Sequence, residues 1–513
     1  MLSDQPADYS LPYPTWNDHQ KDMCEKAVSL PEGKVLMLSA PCGIGKSGVP
    51  GLVSYFRPGT TVLVRSIDLQ NQYSTTIPFF KSIWGRSRDP NICVNLDVID
   101  TFSTIYDARP YKIDCPYRKP REDCDVFSEC PYEISKAEVL SARARVLNYS
   151  FAFHARWWRG ITTDLYCDEA HELITTLSGL VSIDTSEYTR KTFDLPDFQL
   201  AIGRSPFAMK MTKEWLGKAI NAITPFTKAK DIKIKRSAEW NKEKFQNLLS
   251  TLEDSDDYSN WYVHSRPGER LRLKPIIPGE YAHRILTPRA RSTVLMSATL
   301  GNPIVLVRWL GIPLDGYEYV DLPHVFPEEN RRVYLPKDAP KLSWRSRPKD
   351  YDKQIELIRN ILRAHEGEKG IVHTASWKHS QMIADAIRGN GRRVILPDSG
   401  RRLESIREFK ESALGTVAIS PSWSTGLNFP HDECRFAIIA KVPFRPWNDP
   451  IVKARLELPG GRDWYDWEAC QQVVQAANRG IRFRDDYCTS YVLDRNWSRV
   501  KRMAPGWFNV EVV

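Results

Sequence analysis

Lys46 and Ser47 close the stretch Ala40-Pro41-Cys42-Gly43-Ile44-Gly45-Lys46-Ser47, whose residue types suit the holding of a phosphate chain. The spacing is that of a phosphate-binding loop, G-x-x-x-x-G-K-[ST], with Ala40 in place of the first glycine. Gly43 and Gly45 let the backbone curl so that its N–H groups point inward at a phosphate. Lys46 then reaches the β- and γ-phosphates of ATP, and the Ser47 hydroxyl holds Mg²⁺. A second constellation, Asp168-Glu169-Ala170-His171, follows the apolar run Leu165-Tyr166-Cys167. Asp168 is placed there to hold Mg²⁺ from across the site, and Glu169 to polarise an attacking water. A third lies in Gln475-Ala476-Ala477-Asn478-Arg479-Gly480-Ile481-Arg482. On a helix Arg479 and Arg482 share a face, as two arginines aimed at one phosphate chain would.

These residues need a frame. Val35-Leu36-Met37-Leu38 predicts a short buried strand running into the loop. Thr61-Val62-Leu63-Val64-Arg65 predicts a second, leaving through the polar exit Ser66 to Gln72. In an open parallel sheet such exits face the ligand crevice, which makes Arg65, Gln70 and Gln72 candidates for a backbone phosphate. Upstream, Gln20 sits in a helix-like pattern from Trp16 to Val28, where its amide could read an adenine edge. Thr293-Val294-Leu295-Met296-Ser297-Ala298-Thr299 predicts a strand ending in small hydroxyl residues, suited to a hinge that senses a γ-phosphate. Four more β-like runs, around Gly370–Ser376, Arg393–Leu396, Thr416–Ser420 and Ala437–Ala440, alternate with helical stretches. That alternation predicts a second parallel sheet covered by helices.

The 513-residue length points to several domains, and 42% hydrophobic residues supply their cores. No apolar run is long enough to span a bilayer, and no secretory signal opens the chain. The net charge of +9 favours a polyanionic partner. Lys228, Lys230, Lys233, Lys235 and Arg236 form a basic cluster with Trp215, Trp240 and Trp261 spread around it, a composition able to hold a single strand by phosphate contact and stacking. Ten cysteines without an export signal suit a reducing compartment. Four of them, Cys93, Cys115, Cys124 and Cys130, fall in a segment poor in apolar periodicity, which needs a staple to order itself. Zinc and an iron–sulfur cluster both satisfy that need, and the spacing selects neither.

In this order the motifs resemble those of the XPD/DinG type of superfamily 2 DNA helicases, from the Gln20 region to about Arg495. The matching signs are Gln20, Gly43-Ile44-Gly45-Lys46-Ser47, Leu69-Gln70, the four cysteines, Asn148-Tyr149 and Asp168-Glu169-Ala170-His171. They continue with Ser297-Ala298-Thr299, Val325-Phe326-Pro327, Thr425-Gly426-Leu427-Asn428, Lys441-Val442-Pro443-Phe444 and Gln475 through Arg482. Asn478 stands where the family usually has glycine, and Thr425 and Asn428 where it often has acidic residues.

The resemblance implies an α/β fold with two RecA-like parallel-sheet motor domains. A four-cysteine cluster insertion and a small, mostly helical arch insertion interrupt the first. The implied boundaries are 1–84, 136–179 and 268–312 for the first motor domain, 85–135 for the cluster domain, 180–267 for the arch and 313–513 for the second motor domain. The implied cofactors are ATP, Mg²⁺ and a [4Fe–4S] cluster held by Cys93, Cys115, Cys124 and Cys130. The implied nucleotide site takes in the loop from Ala40 to Ser47 with Gln20, His171, Gly426, Asn428 and Gln475. The implied activity is ATP-driven 5′→3′ movement on single-stranded DNA with unwinding of forked or 5′-tailed duplex by a monomer, in the cytoplasm of a bacterial or phage-infected cell or at the nucleoid. A nucleic-acid-dependent ATPase that clamps or remodels a complex without separating strands uses the same residues.

Overall fold

The computed structural model describes residues 2–83, 127–155, 157–198, 201–253, 258–265, 271–286, 290–343, 345–389, 391–397, 401–423 and 427–513. Its strands, in chain order, begin with β1 (Val35–Ser39), β2 (Thr60–Val64), β3 (Phe80–Ser82), β4 (Ala144–Asn148) and β5 (Asp164–Asp168). Then come β6 (Ile183–Asp184), β7 (Ala201–Gly203), β8 (Trp261–Ser265), β9 (Arg272–Pro275), β10 (Ser292–Ser297) and β11 (Tyr317–Asp321). The second half supplies β12 (Val333–Leu335), β13 (Gly370–His373), β14 (Val394–Ile395), β15 (Val417–Ser420), β16 (Phe436–Ile439), β17 (Thr489–Val492) and β18 (Glu511–Val512).

Among the described residues two seven-stranded sheets carry the fold, ordered β11-β1-β10-β5-β2-β4-β3 and β14-β15-β13-β16-β17-β12-β18. All their pairings are parallel, in line with the α/β class implied by the motifs. Parallel strands covered on both faces are apolar at nearly every position. Accordingly β2, β5, β10, β13, β15 and β16 are buried throughout. The loop-bearing strand β1 lies between β10 and β11, with Leu36 opposite Val294 on one side and Glu318 on the other.

The first sheet therefore extends past residue 312, where the motifs set the boundary. The strand β11 is an edge strand whose residues are only partly covered, so its polar alternation reads in sequence as a linker. The insertion after β5 is mostly helical, as implied, but it also carries a small sheet and runs past the implied bounds of 180–267. Helices Pro206–Ile223 and Ile232–Glu253 pack with an antiparallel sheet, β6-β9-β8-β7, whose strand β9 lies beyond residue 267. Its Trp215 and Trp261 are core residues, which leaves Trp240 at the surface with the Lys244 ammonium over its ring.

Local chemistry fixes the helices that leave the strands. Ser66 caps Ile67–Thr76 by accepting from the Leu69 N–H, and Ser376 caps Trp377–Ile387 by accepting from the His379 N–H. Arg145 on β4 is 2% exposed and donates to the carbonyls of Val139, Gly59, Ile161 and Ala142. The cation thus satisfies loop carbonyls around the sheet end that the strand ladder cannot reach.

Candidate active site

The strand β1 delivers the loop. Gly43 and Gly45 adopt φ of +83° and +85°, the left-handed region that glycine enters without cost. Space excludes a side chain as well. A Cβ at Gly43 would lie 2.2 Å from the Phe326 ring, and one at Gly45 would lie 2.4 Å from Gln20 Nε2. Gln20 is fully buried: its Nε2 donates to the Gly45 carbonyl at 3.0 Å and its Oε1 accepts from the Asn17 N–H at 3.1 Å. Its amide is committed to the shape of the loop rather than displayed to a base. Lys46 Nζ lies over the loop and donates to the carbonyls of Ala40 and Pro41 at 2.8 and 2.9 Å. Ala40 and Ile44 face the core, and Cys42 is half-buried. Ser47 precedes the helix Gly48–Phe56, its hydroxyl 3.4 Å from that of Tyr13.

The strand β5 ends in the two carboxylates. Asp168 Oδ1 accepts from the Glu169 N–H at 2.9 Å, and Oδ2 accepts from the Tyr73 hydroxyl at 3.0 Å. Burial, then the neighbouring Glu169 charge, pushes the Asp168 carboxyl up to about 6 against the pull of Lys46. Glu169 has φ of +53°, a conformation that costs a non-glycine residue roughly 1–2 kcal/mol. It accepts from the Ser297 hydroxyl at 3.3 Å, with His171 Nδ1 also 3.3 Å away. Burial alone would raise Glu169, but His171, Lys46, Arg479 and Arg482 outweigh it and hold the carboxyl below its ordinary value. Two adjacent carboxylates are thus pushed in opposite directions, a pattern that divides roles between them. Ser47 and Asp168 offer hard oxygen donors, the set that Mg²⁺ takes when phosphates and water complete its octahedron. Among the described residues no three of His, Cys, Asp or Glu converge to cage a metal on their own.

The second half closes over this site. Gln475, near the end of the helix Gly461–Ala477, hydrogen-bonds His171 Nε2, while His171 Nδ1 lies 2.7 Å from the Ser297 hydroxyl. Asn478 ends that helix, its side chain donating to the Val474 carbonyl at 2.7 Å. Arg479 and Arg482 therefore stand on the turn beyond the helix and not on one helical face. The turn needs Gly480, because a Cβ there would lie 2.6 Å from the Cys434 carbonyl oxygen. Both arginines still reach the cleft. Arg479 donates to the Leu427 carbonyl at 2.7 Å, and burial pushes its guanidinium down to about 10. Arg482 Nη1 crosses to Cys42 Sγ at 3.3 Å. Between the halves lies a cavity of about 50 Å³, lined by Cys42, Glu169, Gln475, Arg479, Arg482 and Trp507.

Of the remaining sequence candidates, Gln70 is fully buried and donates to the carbonyls of Ile83 and Val146, so it braces the first sheet. Gln72 is exposed, and Arg65 is half-exposed beside Glu172. Asn428 is exposed next to the Leu427 carbonyl that receives Arg479, and Gly426 lies outside the described residues. Cys93, Cys115 and Cys124 also lie outside them. Cys130 is described: it is half-buried at the start of the helix Pro131–Ser141. Sequence reasoning missed Tyr73, Glu172 and Trp507. An aromatic on a helix and a carboxylate one residue past a motif carry no local signal, and Trp507 reaches the cleft from far along the chain.

Residues 358–511 match the helicase C-terminal domain family. The chain is 26% identical over 258 residues to a regulator of telomere elongation helicase 1 homolog of Drosophila grimshawi, covering 44% of this chain and 26% of that protein. It is 25% identical over 278 residues to the ATP-dependent DNA helicase DinG of Photobacterium profundum, covering 50% of this chain and 38% of that protein. The helicase subunit XPD/RAD3 of Saccharomyces cerevisiae is 25% identical over 140 residues, 26% of this chain and 17% of that protein. The chain thus spans well under half the length of these curated relatives. A solved XPD helicase structure superposes with a TM-score of 0.64 at 15% identity over 98% of this chain and 100% of that one, and the apo form of XPD with 0.60 at 16% identity over 97% and 100%. In sequence the chain is similar to XPD- and DinG-type helicases over part of its length, and its fold is like that of XPD.

Proposed function

We propose that the chain hydrolyses ATP to drive 5′→3′ movement on single-stranded DNA, and that it unwinds 5′-tailed duplex. The observation that carries this is the closure of one half on the other around Glu169. Its neighbours Ser297 and His171 come from the first half, and Gln475, Arg479 and Arg482 from the second. A hydrolysis site shared between two halves changes shape when its γ-phosphate leaves, and that is how chemistry becomes relative movement.

Lys46 trades its two loop carbonyls for β- and γ-phosphate oxygens, and the inward N–H groups of Gly43 to Ser47 complete the cradle. Ser47 and Asp168 would hold Mg²⁺, which would supply charge neutralisation to the phosphates. Glu169, kept ionised by four cationic or hydrogen-bonding neighbours, orients the water and takes its proton. Arg479 and Arg482 stabilise charge on the departing γ-phosphate, and His171 with Gln475 carries the change across the cleft. Glu169→Gln should bind ATP normally and stall turnover, and a normal rate in that variant would overturn the assignment of the base. Unwinding of matched 5′- and 3′-tailed duplexes tests the direction: displacement of the 5′-tailed substrate alone is expected. ATP turnover stimulated by single strands with no displacement of either duplex would favour the clamp or remodelling activity.

The four-cysteine segment belongs to the same reading. We infer that Cys93, Cys115, Cys124 and Cys130 hold a [4Fe–4S] cluster that stiffens the insertion beside the strand. Cys130 is half-buried at the start of the helix Pro131–Ser141. Anaerobically purified protein should be brown, with the colour lost in Cys115→Ser. Colourless protein carrying one zinc per chain would replace the cluster with a different staple.

A further inference from the structure

The end of β2 presents Arg65, whose side chain is 45% exposed, with Nη1 2.5 Å from Glu172 Oε1. Glu172 is largely buried and lies 3.7 Å from His171 Nε2, the nitrogen that faces Gln475. Arg445, from the second half, acts on the same carboxylate through space. Arg445 is also part-exposed, is gripped by both oxygens of Glu468, and reaches the Thr175 hydroxyl at 3.4 Å, one helical turn beyond Glu172. Two part-exposed arginines, one from each half, therefore bear on one largely buried carboxylate.

Arg445 in turn lines a recess of about 260 Å³ at the carboxyl ends of β13, β15 and β16, together with Lys441, Thr374, Gln472 and His373. His373 is 4% exposed, and neither of its ring nitrogens has a hydrogen-bond partner. Burial, then Arg479, pushes His373 down to about 3, so its ring is neutral and keeps one N–H to give. An unsatisfied buried donor beside Lys441 and Arg445 marks the recess as built for an anion.

We propose that Arg65 and Arg445 flank a two-domain seat for a phosphodiester backbone, and that Glu172 is an internal anion holding the place of a phosphate at Arg65. This rests on the reading that the chain binds single strands. An incoming strand competes with Glu172 for the Arg65 guanidinium. The pair opens to solvent on the arginine side, so it is weak and screened by salt, and a phosphate can displace it. Glu172 cannot follow Arg65 outward, because it is largely buried beside His171. Its position therefore connects occupation of the strand seat to the residue that bridges the two halves.

Anisotropy of a fluorescein-labelled oligothymidylate on the full chain, at fixed salt, tests this through a double-mutant cycle. Glu172→Gln keeps the shape and removes the competing charge, so the strand should bind about threefold to tenfold more tightly than to wild type. Arg65→Ala should bind more weakly, and adding Glu172→Gln to it should give no further gain. A thermal melt of each variant establishes that the fold is kept. Unchanged or weaker binding by a folded Glu172→Gln variant overturns the proposal, as does a gain that persists without Arg65. If wild type binds no strand at all, the strand-binding reading fails first and takes this proposal with it. Binding by wild type with an additive cycle overturns this proposal and leaves the strand-binding reading standing.

Discussion

The two sheets have the same size and the same parallel pairing, yet they divide the chemistry unequally. The first places its reactive groups directly at strand ends: the phosphate loop after β1, Asp168 and Glu169 after β5, and Ser297 at the end of β10. The second contributes through the end of a long helix and the turn after it, where Gln475 and Arg482 reach across to groups they do not share a sheet with and Arg479 lines the same cleft. Groups that must hold a nucleotide gain from rigid strand ends. Groups that must come and go with its γ-phosphate gain from standing on the opposite body. On the proposed function, the difference separates holding from sensing.

The sharpest way to break that division is Arg479→Ala. An arginine in this role contributes on the order of 10³-fold in rate, so turnover should collapse while ATP affinity changes little. Measured by steady-state kinetics and equilibrium nucleotide binding, equal losses in both would place Arg479 among the holding groups. Lys46→Ala should lose affinity and turnover together, as a holding residue does.

A second test concerns what holding costs the fold. Asp168 has its carboxyl raised to about 6 from an ordinary value near 3.8, so the folded state takes up its proton at higher pH than the unfolded state. The charged form therefore burdens the fold in full above about pH 6, and the burden fades as pH falls towards 4. Asp168→Asn should raise the melting temperature of nucleotide-free protein at pH 7 to 8, by a stabilisation on the order of 1–3 kcal/mol, and should abolish turnover. The gain should shrink towards pH 4. A variant that melts lower at every pH would show that the amide disturbs the Tyr73 and Glu169 contacts more than the charge did.

A smaller effect is expected at the turn that brings the sensing arginines over. Gly480→Ala drives a methyl into the Cys434 carbonyl, which belongs to backbone that cannot rotate away. The expected loss is about 1–3 kcal/mol in a denaturant titration, with turnover reduced through Arg479 and Arg482 while nucleotide affinity is largely kept. The least effect is expected from Trp240→Ala, since one exposed ring with a lysine over it supplies little to fold or catalysis. A large loss of strand affinity there would extend the strand path onto the inserted antiparallel sheet and its helices.

The loop and the two carboxylates were legible because each motif is local, whereas the arginine pair was legible in its place along the chain but not in standing on a turn beyond the helix. The strands beneath them were legible because burial on both faces makes them continuously apolar. Three things were not. Gln20 and Gln70 read as ligand-facing amides, yet both are spent inside, one on the Gly45 carbonyl and one on those of Ile83 and Val146. Polarity alone does not tell a displayed amide from one that satisfies buried backbone. The strand β11 was hidden by its edge position, where half-covered residues alternate like a linker. Tyr73 and Glu172 meet partners far along the chain, Asp168 and Arg65, and no spacing rule brings such pairs together.

The placement of β1 between β10 and β11 has a consequence for the newborn chain. On a ribosome adding roughly 5–20 residues per second, the strand that carries the phosphate loop emerges with neither of its flanking strands yet made. One edge of β1 stays open until β10 is complete at residue 297, and the other until residue 321 has been added, on the order of 15–60 s later. Through that interval an apolar strand with an unpaired edge is what a chaperone or an aggregating neighbour would meet first. The ability to retain ATP would then mark how far synthesis has run, arising only after β11 has joined the sheet.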